Sequence, residues 1–241
     1  MENLKVIYDN RGNDEFAGDW GLSIFVELSE ENLLFDTGAK PEILKRNMEN
    51  FGIAPREIDA VFISHNHWDH VGGLPFILNE NKSFDIFIPE EEVQNFEEKL
   101  PEGVVCVPIS STTYISDRTI ALKPMETGIP SPRVEQSLLV STVNGYVLLV
   151  GCSHPGILEI AKKATQVVGE KLFLIIGGFH LYKLGDKEIK EIAQKLKEFA
   201  SFVAPCHCTG EKGIEIFKEE WKDNFIEVFA GLEIPLDEKV L

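Results

Sequence analysis

Ala60-Val61-Phe62-Ile63-Ser64-His65-Asn66-His67-Trp68-Asp69-His70 sets the terms on which the rest of the chain can be read. Its first four residues are apolar and suit a buried strand, and three histidines and an aspartate then fall within six residues. A strand leaving its sheet alternates sides, so His65 and His67 share one side while a turn at Asp69-His70 folds two more donors back. Nitrogen and oxygen donors at this spacing read as a metal cluster at the end of a strand.

The other histidines extend that pattern. His65, His67, His70, His154, His180 and His207 are the full set, and each group follows an apolar run: Ala60–Ile63, Tyr146–Val150, Leu172–Ile176 and Phe202–Ala204. Strand ends are where a layered α/β protein builds its site, because a rigid sheet holds loops that stay open to ligand. A single histidine reads as a satisfied structural residue, whereas six in four such places, beside Asp69, read as metal ligands, neutral imidazole being the commonest.

Working outward, Leu4–Asp9, Leu22–Leu28 and Asn32–Phe35 read as early strands, and Asp85–Ile88, Val104–Ile109 and Thr119–Lys123 as later ones. Pro41–Met48 reads as a helix with Pro in its first turn, and Glu90–Glu98 as an acidic, solvated helix. Gly72-Gly73 gives backbone freedom after the ligand loop. Ser137–Val143 and Tyr146–Val150 flank Asn144-Gly145, a hairpin signal. Pro155 opens a helix to about Val168, and Asp186 is the expected N-cap of a helix whose Ile189, Ile192, Leu196 and Phe199 form one stripe. A last helix follows Thr209-Gly210, and Phe225–Phe229 and Leu232–Leu236 read as closing strands. Strands mixed with strand-helix alternation, no linker and no repeat give a layered α/β fold, with residues 1–241 as a single domain.

Composition narrows the function classes. A formal net charge of −17 without a basic cluster argues against nucleic acid as partner. No apolar stretch approaches the length of a membrane span and no signal peptide precedes the first strand, so a cytoplasmic location is expected. The four cysteines, Cys106, Cys152, Cys206 and Cys208, are then reduced. Cys206 and Cys208 flank His207 but fall short of a closed four-ligand site and are read as buried packing residues.

The His65-x-His67-x-Asp69-His70 motif, the upstream Leu34-Phe35-Asp36-Thr37-Gly38 and the later histidines resemble the metallo-β-lactamase fold superfamily of metal-dependent hydrolases. Gly151-Cys152-Ser153-His154-Pro155-Gly156, Gly177-Gly178-Phe179-His180-Leu181 and Pro205-Cys206-His207-Cys208-Thr209-Gly210 resemble its 7,8-dihydropterin-6-methyl-4-(β-D-ribofuranosyl)aminobenzene-5′-phosphate synthase-like branch. The resemblance spans about residues 20 to 210. It implies a four-layer αββα sandwich of two mixed sheets with helices outside and a dinuclear site at one edge. By analogy His65 and His67 bind the first of two divalent ions, and Asp69, His70 and His207 the second. Zinc is the first expectation, with iron or manganese also suited to these donors.

The chain departs from many relatives where they place a third histidine and a bridging aspartate, at Gln136 and Cys152. His154 is the expected replacement in the first metal's shell, with Cys152 as a soft alternative. His180 is read as contacting substrate or donating a proton, and Asp36 as anchoring a ligand histidine. Paired metals activate water, with Asp69 orienting the nucleophile. This supports hydrolysis or group transfer on a small, phosphate-bearing, pterin-related molecule, with Arg133, Thr209 and Gly210 as anion contacts. An iron-loaded oxygen-reducing protein and a non-catalytic metal-binding scaffold are the alternatives.

Overall fold

The computed structural model describes residues 2–237. One mixed sheet holds β1 (Asn3–Tyr8), β2 (Ser23–Glu27), β3 (Asn32–Phe35), β4 (Ala60–Phe62), β5 (Asp85–Pro89) and β6 (Val105–Ile109). The second is built from β7 (Thr113–Tyr114), β8 (Thr119–Ala121), β11 (Leu138–Thr142), β12 (Gly145–Val150), β13 (Leu172–Gly178) and β14 (Ala200–Cys206), after a short separate pair, β9 (Met125–Glu126) and β10 (Val134–Glu135). β15 (Glu233–Pro235) returns to the first sheet, giving orders β15-β1-β2-β3-β4-β5-β6 and β14-β13-β12-β11-β8-β7.

The apolar runs are continuous because both faces of each sheet are covered. In β3, Leu33 and Phe35 join the core between the sheets while Leu34 turns outward, and in β4 Ala60 and Phe62 point in while Val61 points out. The second sheet alternates likewise, with Val147 and Leu149 inside and Leu148 and Val150 outside. The outer face of the first sheet is covered by α1 (Pro41–Phe51) and α3 (Leu74–Glu80) through Leu44, Met48, Leu74 and Ile77. The outer face of the second is covered by α4 (Ile157–Val168), α5 (Asp186–Leu196) and α6 (Glu211–Trp221). The result is the expected four-layer αββα sandwich. The one-turn helix α2 (Trp68–Val71) carries Asp69 and His70.

Two sets of parallel neighbours position the site. β3 and β4 run parallel, as do β12, β13 and β14, so the residues after each strand emerge at a common edge. Four of the five non-glycine residues with left-handed φ among the described residues lie there: Asp36, Ser153, His180 and His207. Such conformations cost of order 1–3 kcal/mol each and persist only where surrounding contacts fix them.

Several local expectations need correction. Phe225–Phe229 is not a strand; Phe225 makes a single parallel bridge to Val203 on the open edge of β14, where the Ile226 amide donates to the Val203 carbonyl. Glu90–Glu98 forms two 3₁₀ segments, and Glu92, Val93 and Phe96 are buried, so this is more than a solvated face. The hairpin loop sits at Val143-Asn144, since Thr142 pairs with Gly145 and fixes the register one residue earlier. Gly185, and not Asp186, precedes α5, its N–H donating to the Glu188 carboxylate. Gly72 and Gly73 have ordinary negative φ; what they supply is space, because a Cβ would lie 2.0 Å from the Ala39 carbonyl and 2.1 Å from the Thr37 carbonyl. This close approach presses the ligand turn against the loop that follows β3.

Candidate metal centre

Four of the histidines are each oriented by an acceptor on the far side of the ring. His70 Nδ1 lies 2.6 Å from Asp36 Oδ2, and the same carboxylate accepts from the Ser64 amide and hydroxyl. Ser64 Oγ is also 2.9 Å from His65 Nδ1, so one fully buried aspartate fixes His70 directly and His65 through a hydroxyl. His154 Nδ1 is 2.8 Å from Glu135 Oε2, and His207 Nδ1 is 2.9 Å from Asn10 Oδ1. With Nδ1–H donated outward in all four, each presents Nε2 inward, the arrangement second-sphere acceptors impose on metal-binding imidazoles.

Three of the ring nitrogens in this cluster lack a hydrogen-bond partner. His65 Nε2, His207 Nε2 and His180 Nδ1 are buried without a hydrogen bond. Buried polar atoms are ordinarily satisfied, so a cluster of orphan imidazole nitrogens fits a cation that accepts their lone pairs. The rings form a continuous group: His65 lies 4.7 Å from His67, 4.1 Å from His70 and 4.9 Å from His154 between centroids, and His70 lies 5.0 Å from His207. Asp69 Oδ2 sits 3.4 Å from His207 Nε2 and 3.9 Å from His70 Nε2. The indole of Trp20 donates to that same oxygen at 2.7 Å.

The electrostatics follow from burial among like groups. Burial pushes His65 well down, reinforced by the neighbouring histidines, and it pushes His207 down to about 4. Burial also lowers His67 and His180. Burial opposes charge on His70 too, but the Asp36 carboxylate outweighs it and raises that pKa. Burial would raise Asp69; contact with His207 and the charge of His70 overcome it and hold the carboxyl well below its usual range. Glu135 is held down, against its burial, by bonds from His154.

These shifts give a signed expectation for the metal-free protein. A histidine whose folded pKa is lowered contributes stability above its unfolded pKa of about 6.5 and loses it as pH falls towards the folded value, because the unfolded chain binds protons first. Four histidines are lowered, joined by the lowered carboxyls of Asp69 and Glu135; His70 and the buried carboxyls of Asp9 and Asp36, all raised, oppose them. The melting temperature of chelated protein should therefore fall steadily between pH 6.5 and about 4; a flat profile would contradict this reading.

The structure gathers His65, His67, Asp69, His70, His154, His180 and His207 at one edge, with Asp36 behind His70. The residues expected to contact an anion are each engaged in other ways. Arg133 is exposed and lines a surface cavity with Glu91 and Glu126. The Thr209 hydroxyl is fully buried and accepts from the Phe179 amide, and Gly210 is overlain by Tyr182. Four participants escaped the sequence reading. Glu135 accepts from the amides of Cys152, Ser153 and His154, Asn10 orients His207, Asp9 accepts from the His207 amide, and Trp20 holds Asp69. Asp9 and Asn10 follow a strand, so the rule that selected the histidines would have found them had it included other polar residues.

Cys206 and Cys208 are buried, as expected of packing thiols. Gln136, where many relatives carry a histidine, donates its amide to the carbonyls of Ile63 and Phe87. Among the described residues no helix is long and apolar enough to cross a membrane.

Comparisons with known proteins agree with this architecture. A family model described as the metallo-beta-lactamase superfamily matches residues 20–101. The 7,8-dihydropterin-6-methyl-4-(beta-D-ribofuranosyl)-aminobenzene-5'-phosphate synthase of Methanocaldococcus jannaschii is 29% identical, over 91% of this chain and 90% of its own length. The crystal structure of Tm1679, described as a metal-dependent hydrolase of the beta-lactamase superfamily, superposes with a TM-score of 0.84 at 27% identity, covering 99% of this chain and 100% of that one. Zn(2+)-bound PqqB from Methylobacterium extorquens shares the fold, with a TM-score of 0.66 at 13% identity over 97% of this chain and 100% of its own.

Proposed function

We propose, from the premise that this chain belongs to the metallo-β-lactamase superfamily, that it is a metal-dependent hydrolase or transferase acting on a small phosphate-bearing molecule. The observation that carries the reading is the convergence of imidazole Nε2 atoms whose Nδ1 atoms are all engaged by outward acceptors. His65, His67 and His154 would hold one ion and Asp69, His70 and His207 the other. When bound, the ions would supply Lewis acidity, providing a nucleophile usable near neutral pH and stabilising charge on a leaving oxygen. Zinc suits a donor set dominated by imidazole, and iron or manganese remain compatible with it.

The protein's own groups prepare the site. Asp36 and Glu135 fix the ring tautomers, and Asn10 does so for His207. Trp20 ties one oxygen of Asp69, limiting that carboxylate to a single orientation beside His70 and His207. His180 is half-buried, its ring 4.5 Å from His154, and burial keeps it neutral near pH 7, which suits a substrate contact better than a proton donor. Exposed Trp20 and Tyr182 flank the opening, where Lys183 adds positive charge near His180. The phosphate-bearing substrate class is supported by the name of the synthase relative, and the metals and Lys183 would meet the anion.

The test is elemental analysis followed by assays on phosphomonoester, phosphodiester, thioester and lactone substrates. The expected result is two metal equivalents with phosphoester turnover that chelation abolishes and metal restores. Stoichiometric metal without turnover on any substrate would favour the scaffold reading, and an iron-dependent oxygen-consuming activity would favour the redox one.

A further inference from the structure

Cys152 stands where the two halves of the site meet. It follows β12, its amide is held by Glu135, and its side chain is 3% exposed. The Ser64 side chain presses on the preceding residue: a Cβ on Gly151 would lie 2.2 Å from Ser64 Oγ, so this loop is seated directly against the His65–His70 segment. Cys152 Sγ lies 3.2 Å from His70 Nε2. Its sulfur falls within 4.8 Å of the ring nitrogens of His65 and His154, and separately within 4.8 Å of those of His70 and His207. The two histidine pairs have no member in common, and the sulfur belongs to both.

We propose that Cys152 Sγ is a ligand shared between the two metal ions, a thiolate bridge that closes both shells. The inference rests on the metal reading above and goes beyond it in assigning a residue that reading leaves out. With the sulfur counted, each ion has four protein donors: His65, His67, His154 and Cys152 for one, and Asp69, His70, His207 and Cys152 for the other. Four donors satisfy a tetrahedral metal, with expansion to five available for a reactant.

Charge supports the assignment. Two divalent ions would face three nearby carboxylates, those of Asp69, Asp36 and Glu135, of which the last two are fully buried. A thiolate adds to the negative charge that offsets the ions where water cannot screen them. The proton balance is also simple. In the metal-free protein the thiol can donate to His70 Nε2, whose other nitrogen is engaged by Asp36. On loading, the S–H bond breaks, a sulfur-metal bond forms and the proton leaves to solvent. A packing thiol would be surrounded by apolar side chains, whereas this one faces imidazole nitrogens. Cys208 is the competing sulfur, also within 4.8 Å of Cys152 Sγ, but it lies on the His180 side and donates to the Cys152 carbonyl at 3.5 Å. A thiolate also biases the centre towards zinc, cobalt or ferrous iron over magnesium or manganese.

The experiment is to load the chelated full-length protein with Co(II) and read metal stoichiometry together with the near-ultraviolet thiolate-to-cobalt charge-transfer absorption. Wild type should bind two equivalents and show the band; Cys152→Ser should lose the band, Cys152→Asp should keep two equivalents without it, and Cys208→Ser should keep it. Zinc affinity of Cys152→Ser should fall by more than the roughly 10–100-fold typical of losing an outer hydrogen-bond partner. Two equivalents in wild type without the band, or a band that survives in Cys152→Ser and vanishes in Cys208→Ser, would overturn the bridge and leave the metal reading standing. No cobalt uptake by wild type would instead remove the metal reading itself, and the bridge with it. Should the Cys152 variants fail to fold, X-ray absorption on the zinc-loaded wild type decides the matter through the presence or absence of sulfur in the shell.

Discussion

Asp69→Asn should leave the protein folded and lower turnover by more than about a hundredfold, beyond the usual cost of losing an outer-sphere group. The carboxylate is the one charged oxygen donor among the inward-facing imidazoles, 3.4 Å from His207 Nε2 and 3.9 Å from His70 Nε2. Its contact with those histidines keeps it ionised well below the usual carboxylate range, so the variant removes a full negative charge at neutral pH. An asparagine has the same shape and can still accept from the Trp20 indole through its carbonyl, so folding should survive. Turnover, metal content and melting temperature measured together separate the possibilities. Unchanged turnover at full metal content would take Asp69 out of the mechanism, and a large fall in melting temperature would recast it as structural.

The largest effect on stability should come from Glu135→Ala. This fully buried carboxylate accepts at 2.8 Å from the amides of Cys152, Ser153 and His154 and from His154 Nδ1. Truncation leaves all of those donors buried and unpaired, each worth roughly 1–3 kcal/mol, part of which an entering water would recover. A net loss of about 3–5 kcal/mol, or roughly 6–20 °C in melting temperature for a chain of this size, is expected. The loss has a functional side, because the same carboxylate fixes the His154 tautomer and the Cys152 backbone. Metal affinity should fall along with stability. Glu135→Gln, which retains the shape and one acceptor oxygen, should lose less of both; a melting temperature for the alanine variant equal to wild type would refute the accounting.

Asp69 lies in the one-turn helix after β4 and Glu135 at the end of β10, yet only one of them is conspicuous in the sequence. Asp69 stands inside a dense run of donors whose spacing exposes it. Glu135 stands alone between Val134 and Gln136, beside an apolar strand, and nothing local marks it as buried. Its role arises because β10 ends against the loop after β12, a contact that joins residues 135 and 152–154 across two intervening strands. Asn10 is a stronger case, since it orients His207 from the opposite end of the chain. Pairings over such separations leave no periodicity behind, whereas the histidines were legible because each sits at the end of an apolar run.

The expected anion contacts show the converse. Thr209-Gly210 before a helix is a sound local signal for exposed amides, but the Thr209 hydroxyl is taken up by Phe179 from β13's loop and Tyr182 covers Gly210. Arg133 is close in sequence to the residues that hold His154, and its side chain lines a surface cavity with Glu91 and Glu126. Local pattern gives a residue's neighbours along the chain, and it says nothing of which neighbours arrive from elsewhere.

By itself, then, the sequence determined the layers and the edge at which chemistry is placed. Continuous apolar strands need cover on both faces, and donors that follow such strands must emerge at sheet ends. Only the tertiary structure decided how the donors are apportioned and aimed. Parallel strands bring the four histidine loops to one edge, Asp36, Glu135 and Asn10 turn the rings, and the seating of Gly151 on Ser64 places Cys152 between the two histidine pairs. The physical reason is range. Burial patterns are written in consecutive residues, while ring tautomers and a shared sulfur are set by contacts between residues tens to nearly two hundred positions apart.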